Sequence, residues 1–423
     1  MAVSSNDVLV IGAGPAGLLA AWVARQRGAK VRVLASGIGT THVSPGWLQV
    51  LNAASAASLE GWIAAHPQHP YALAGLAALL GGLAALREVS ESAGVRYVGA
   101  PGANFRLPTA LGALGEAAVT PESFAAGDLR QPGAVLIAGP TGWRDFYPQL
   151  CADNLARQGF AAQSTAFDLP EMAAASRFDL TPVGLARLFE QAEARARVAA
   201  QLKPRLDGAT RVGLPAVLGL AQHAEVWRDL QDRLGVPVFE IPTLPPSVPG
   251  MRLFNACKAA LARAGVPILL GMTAVRGETA NGRATGVVAP NVVREATYRA
   301  GTIILATGGL YGGGIASNHR GEMREAVFDL PVYVPGGLSE WFNERFFTPV
   351  PVETLHATSL QQQGHPIHYA GVRANSRLQP VDETGNVVLE NVRIAGRLLA
   401  DYNPLQEGST EGVWLATGYR AAA

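Results

Sequence analysis

The sequence predicts an α/β chain, and three observations carry that prediction. "NDVLVIGAGPAGLLAAW", residues 6–22, reads as a strand, a glycine turn and a helix. "AKVRVL", residues 29–34, follows as a second strand. Far downstream, residues 251–309 read as a helix, a β-meander and another buried strand, so one sheet is resumed after a long interruption.

Each element has a local reason. Val8–Ile11 is a short apolar run that ends on glycine, as a buried strand does. Pro15 suits the first helical turn, where its missing N–H costs nothing. Helix formers then run to about Arg27, and Gly28 stops them. Within the turn, Gly12 permits a tight bend, Gly14 lets the backbone approach a phosphate, and Gly17 lets the helix lie close to the strand. The first-turn N–H groups and the positive end of the helix dipole favour an anion. In this strand–helix setting the G-x-G-x-x-G turn is the phosphate-binding unit of a Rossmann-like domain. Such units usually place an acid at the end of the second strand to hold a ribose hydroxyl. Here no acidic residue lies between Asp7 and Glu60, and Arg25, Arg27, Lys30 and Arg32 occupy that interval. NAD is therefore disfavoured, and a flavin nucleotide held mainly through its phosphate is left open.

The later elements extend the same domain. Met251–Ala264 has a helical pattern that Gly265 caps, and Ile268–Leu270 starts a strand. "GRATGVVAP" and "ATYRAGTIILATGG" make the meander and its buried strand, Thr302–Ala306. Residues 306–317 hold five glycines, where a backbone can run against a ligand. Ile394–Gly396 is the last expected strand, Gly408–Gly412 a second glycine turn, and Val413–Ala422 a closing helix. Between 51 and 245 alanine and proline rise, and "GPTGWRDFYPQLCADNL" and "FDLTPVGLARLF" look helical. The expected architecture is a Rossmann-like flavin-binding domain with a β-meander and an inserted α-rich cap. The flavin-binding domain takes residues 1–50, 246–320 and 386–423. The cap takes 51–245, with "IPTLPPSVPG" (241–250) as its proline-rich return, and a smaller insertion takes 321–385.

Composition narrows the function. The chain has 423 residues, 48% hydrophobic and 16% charged, enough for two or three domains. Its net charge is +1, and no basic run interleaves with aromatics, so nucleic acid is not an expected partner. The first ten residues lack the charged and apolar regions of a signal peptide. The two cysteines, Cys151 and Cys257, are too few for an iron–sulfur cluster on this chain's own thiolates, which usually takes about four. They also make no disulfide framework, so a reducing cytoplasm is expected. The apolar stretch Tyr71–Leu86 has 16 residues, short of the roughly 20 a membrane-spanning helix needs, and reads as a buried or interface helix.

Over nearly its whole length the chain resembles the B-type subunit of the anaerobic glycerol-3-phosphate dehydrogenase. "GVPVFEIPTLPPSVPGMRL" and "GPTGWRDFYPQL" are the specific matches. "THVSPGWLQVL", "VGLPAVLGL", "ATGGLYGGG", "REAVFDLPV" and the segment from "RIAGRLL" to "GYRAA" support them. The resemblance implies a flavin, FMN with FAD as the alternative, and oxidation of sn-glycerol 3-phosphate to dihydroxyacetone phosphate. It implies a three-subunit complex, in which a second, catalytic flavoprotein subunit and an iron–sulfur subunit carry electrons toward quinone. It also implies peripheral association with the inner face of the cell membrane through those partners. The residues expected to line the cofactor are Gly12, Gly14, Pro15, Ala16, Gly17, Ser36, His42, Ser44, Gly46, Thr307, Gly308, Gly309, Gly396, Gly408, Gly412 and Val413. The chain departs from the family at its last turn, where Ser409, Thr410 and Glu411 stand in a more glycine-rich pattern, and at the insertion "SLQQQGHPIHYAGV".

No catalytic base stands out. His42 is the most suggestive histidine, because "THVSPGW" follows the second strand, and a positioning role suits it better than a base. His365 and His368 lack a third ligand, so no metal site is expected. His66 and His69 flank prolines and read as loop surface. Arg144, Arg320, Arg324 and Arg377 are the candidates for clamping a phosphate, with a structural Arg144–Asp145 pairing as the plainer reading. Glu411 reads as an ordinary solvent-facing acid in a helix's first turn. The alternative functions are an electron-relay or assembly subunit without substrate oxidation of its own, and a different FAD-dependent oxidoreductase.

Overall fold

The computed structural model describes residues 6–52, 58–171, 180–290, 295–336 and 365–423. They belong to two compact units. One comprises Met1–Thr40, Val50–Leu86 and Cys257–Ala423; the other Thr41–Gln49 and Arg87–Ala256.

The first unit is built on a five-stranded parallel sheet, in the order Ile268–Leu270, Val31–Ala35, Asn6–Ile11, Ala300–Leu305, Val392–Ile394. Ile11 stands in register with Leu34 on one side and Leu305 on the other. Leu9, Val10, Val33, Ile303 and Ile304 are buried on this sheet, which explains the short apolar runs inside its strands. The helix Pro15–Gln26 follows the first strand and ends before Gly28, whose φ is +89°. The expected meander is present as Arg276–Ala280, Arg283–Pro290 and Glu295–Tyr298, paired antiparallel. The buried Asn391 ties it to the parallel sheet: its Nδ2 donates to Ala284 O (2.9 Å) and Gly301 O (3.1 Å), and its Oδ1 accepts from Ala284 N (2.8 Å).

The apolar stretch Tyr71–Leu86 is two helices, Pro70–Ala74 and Leu76–Glu91, broken at Gly75 (φ +87°). Gly81 and Gly82 face the closing helix, Thr410–Ala421. A Cβ on Gly81 would lie 2.6 Å from the Tyr419 ring, and one on Gly82 would overlap the Leu415 carbonyl. No helix of the described residues is long and apolar enough to cross a membrane.

The second unit carries more sheet than its sequence pattern indicates. Its four-stranded parallel sheet runs Val238–Ile241, Arg211–Pro215, Val135–Pro140, Ala162–Phe167. Helices Pro148–Arg157, Pro182–Phe189, Ala192–Leu202 and His223–Leu234 lie between these strands in sequence. Thr181 caps the second of them by accepting from Gly184 N. The pattern placed the insertion at 51–245, whereas Val50–Leu86 groups with the first unit and Thr41–Gln49 with the second. The expected smaller insertion, 321–385, lies partly outside the described residues.

Candidate functional site

The three glycines of the first turn meet different surroundings. Gly12 has φ +113°, and a Cβ there would overlap the Ala306 carbonyl, so this turn lies directly against the chain leaving a neighbouring strand. Gly12 N also donates to Leu34 O (2.8 Å). A Cβ on Gly17 would overlap the Gly12 carbonyl, so only glycine lets the helix pack this close. At Gly14 nothing lies within 4 Å of the Cβ position. Gly14 is the N-cap of the helix, no side chain caps it, Pro15 follows, and no acid stands in the first turn. Ala16 is buried behind it. The result is an open cradle over uncapped N–H groups, fitted to an anion.

Past the second strand, Ser36 is exposed and no acid marks the ribose position. The chain turns back there instead. Gly39 (φ +67°) sits where its Cβ would be 2.7 Å from Gly14 Cα. Sequence reasoning passed over Gly39, although its place in "SGIGTTH" directly after the strand was a signal.

Two further glycine segments adjoin this loop. Thr307 is half-buried, and its buried Oγ1 has no hydrogen-bond partner. Gly308 (φ +86°) caps the short helix Gly309–Gly312, and a Cβ on Gly309 would lie 2.7 Å from Arg397 O. Gly396 (φ +69°) donates through its N–H to Thr417 Oγ1 (2.9 Å), which itself donates to Val413 O (2.6 Å). A Cβ on Gly396 would be 2.9 Å from Ala16 Cβ.

The C-terminal turn differs from expectation. The closing helix begins at Thr410, so Gly412 lies inside its first turn. A Cβ on Gly412 would overlap Tyr71 Oη and come within 3.0 Å of Val50 Cα. Gly408 is left-handed (φ +62°) and packs against Asn52 Oδ1. Val413 is wholly buried, and its N–H is used by Ser409 O (2.9 Å), so it offers no donor to a ligand. Glu411 is only 9% exposed and is not a solvent-facing acid. His69 is likewise buried rather than loop surface. Its Nδ1 accepts from Tyr71 N (3.0 Å), which leaves Nε2 to donate to Glu407 Oε2 (3.1 Å). Glu407 also accepts from Ser409 Oγ (2.8 Å) and Asn403 N (2.9 Å).

His42, Ser44 and Gly46 belong to the second unit. His42 is half-buried and stands edge-on to Phe254, with ring centroids 5.3 Å apart. Its buried Nε2 has no partner, and burial lowers its pKa, so the ring is neutral near pH 7. Ser44 Oγ accepts from Gly46 N (3.3 Å), and Gly46 O accepts from Tyr97 Oη (2.9 Å). Ser247 N donates to His42 O (2.7 Å), so "THVSPGW" packs on "PPSVPGM". The stretch "GVPVFEIPTLPPSVPGMRL" is held by a buried ion pair. Arg252 donates to both oxygens of Glu240 (2.7 and 2.9 Å), and Ser123 Oγ donates to the same carboxylate (2.9 Å). His223 beside them is pushed down to about 4, first by burial and then by Arg252.

The arginine candidates do not converge. Arg144 lies 3.8 Å from Asp145 and Arg324 lies 3.9 Å from Asp329, while Arg320 and Arg377 are exposed. His365 and His368 are buried, and the described residues hold no group of side chains fit for a metal.

Known proteins share this chain's pattern at three levels. The model of the FAD binding domain family matches residues 7–413. The B-type subunit of an anaerobic glycerol-3-phosphate dehydrogenase from Yersinia enterocolitica is 28% identical over 97% of this chain and 96% of its own length. A probable B-type subunit of the same kind of dehydrogenase, from Halobacterium salinarum, is 30% identical over 100% of this chain and 97% of its own. Among solved structures, a 3-ketosteroid delta1-dehydrogenase from Sterolibacterium denitrificans is 13% identical, with a TM-score of 0.44 over 99% of both chains.

Proposed function

The chain belongs to the FAD-binding domain family and, within it, to the family of anaerobic glycerol-3-phosphate dehydrogenase B-type subunits, and we propose that it is the flavoprotein subunit of such a complex, oxidising sn-glycerol 3-phosphate to dihydroxyacetone phosphate. The open cradle at Gly14, between two glycines closed by packing, is the observation that carries this proposal. Gly12, Gly14, Pro15, Ala16 and Gly17 would hold the phosphate, with Thr307 and Gly308 beside them. FMN is the proposed flavin and FAD the alternative. The flavin, when bound, supplies the two-electron acceptor for the substrate carbinol.

Electrons would leave to an iron–sulfur partner, since two cysteines are too few for a cluster here. Through its partners the chain would sit against the inner face of the cell membrane. A second reading makes it an electron relay, set between a catalytic flavoprotein and that iron–sulfur partner. The absence of a histidine or carboxylate beside the glycine loop in sequence favours it.

Extraction and identification of the cofactor test the first step. Turnover of sn-glycerol 3-phosphate with a dye acceptor, by the purified chain and by the complex, tests the second. Equal turnover by both supports substrate oxidation here. Turnover by the complex alone supports the relay, and purified protein free of flavin overturns both.

A further inference from the structure

We infer that Arg397 is the cationic element of a second oxyanion subsite, which takes a phosphate-type group beside the glycine loop. The identity of its ligand rests on the flavoprotein reading above. Arg397 lies in the short turn Gly396–Leu398, just past the last parallel strand. Gly396 packs against Ala16, in the first turn of the helix after the glycine loop, and Gly309 packs against the Arg397 backbone and Cγ. Arg397 therefore stands between the two glycine segments at the ends of the parallel strands.

The guanidinium is held but not satisfied. Nη2 donates to His368 O at 2.8 Å, the guanidinium carbon sits 5.2 Å from the centre of the Tyr402 ring, and the group also interacts with the Tyr402 hydroxyl. Nη1 is buried and has no hydrogen-bond partner. No carboxylate of the described residues pairs with it. Asp401 is taken by Arg373, at 2.9 and 3.1 Å, and Glu407 is taken by His69. A buried guanidinium donor left without a partner, on a group that no carboxylate of the described residues ion-pairs, is costly. A neutral ligand would meet the donor and leave the charge. An oxyanion meets both, and the planar fork of arginine suits phosphate. The phosphate of a flavin nucleotide and the phosphate of a phosphorylated substrate share this chemistry.

The test compares wild type with Arg397→Gln in the full-length protein, with two arms. In the first, apoprotein is titrated with FMN, FAD and riboflavin. In the second, the holoprotein is titrated with inorganic phosphate and with sn-glycerol 3-phosphate, and the flavin spectrum is read. We expect a loss of at least about tenfold in affinity in one arm. Weaker nucleotide binding with riboflavin unaffected assigns the subsite to the cofactor. Full flavin content with weaker phosphate response assigns it to the substrate. Should Arg397→Gln fail to fold, Arg397→Lys, which keeps the charge and loses the fork, must weaken the same titration. No change in either arm overturns the subsite. If wild type takes up no flavin, the flavoprotein reading has failed instead, and calorimetric titration with inorganic phosphate still tests Arg397.

Discussion

The first glycine turn and the last one look alike in sequence and are built for opposite purposes. At residues 12–17 two glycines are closed by backbone and the third opens onto free space. At residues 408–412 both glycines are filled by neighbours, Asn52 at one and Tyr71 with Val50 at the other. A glycine beside a helix N-terminus thus marks either room for a ligand or room for the protein itself. What a Cβ would meet there separates the two.

The largest expected effect comes from violating the closed turn. Gly412→Val drives two methyl groups into the Tyr71 hydroxyl, which donates to the Val50 carbonyl in a buried setting. Relieving that overlap means moving a fully buried aromatic ring, and the cost is more than about 3 kcal/mol. Thermal unfolding should show a much lower Tm, or no soluble protein. A variant with wild-type Tm would show that Tyr71 gives way and that this turn is not closed.

Gly14→Val is the matching change in the open turn. Its backbone is extended, with φ −71° and ψ 174°, which valine adopts without strain. The apoprotein should therefore keep its stability to within about 1 kcal/mol. Its flavin should be lost, because the side chain fills the phosphate cradle. Absorbance of the purified variant at the flavin bands decides the matter, and a full complement of flavin would remove the cofactor from this loop.

Acid should also tell the turns apart. Residues 12–17 contain no titrating side chain, whereas the last turn leans on His69. Burial is the largest influence on His69 and lowers its pKa, with Glu407 pulling the other way. The unfolded chain titrates near about 6.5 and so binds the extra proton first. Stability is full above that pH and falls as the pH drops toward the lower folded value. Denaturant midpoints measured from pH 8 to pH 5 should decline in wild type and decline less in His69→Gln. Parallel slopes would mean that His69 titrates alike in both states.

These contrasts also show what the sequence could reveal. The parallel sheet around Asn6–Ile11 was legible because its central strands carry buried apolar runs such as Leu9–Ile11 and Ile303–Leu305. The helix after Gly14 was legible because proline and glycine punctuate it. The sheet of the second unit was not, since "VLIAGP" and "RVGLP" are short apolar runs that period alone cannot tell from helix. His69 looked exposed because prolines and a polar loop surround it, and its partner Glu407 is 338 residues away. Arg397 carried no local signal at all, as its spare donor is a property of packing.

The smallest expected effect tests whether the closed turn still acts on the cofactor. Glu411 is buried in the first turn of the closing helix, whose N–H end would favour added negative charge on a reduced flavin nearby. The carboxylate opposes that field from the same place. Burial strengthens its effect, because water no longer screens it as it would on the surface. Glu411→Gln keeps the shape and removes the charge, so the flavin should become easier to reduce. An upward shift of about 30 mV in the two-electron potential, roughly 1.4 kcal/mol, is the expected size, and redox titration resolves it. The helix loses a favourable first-turn charge in exchange, worth about 0.5 kcal/mol of stability. A lower Tm with an unchanged potential would make Glu411 a helix residue only, and the last turn would then serve packing without tuning the flavin.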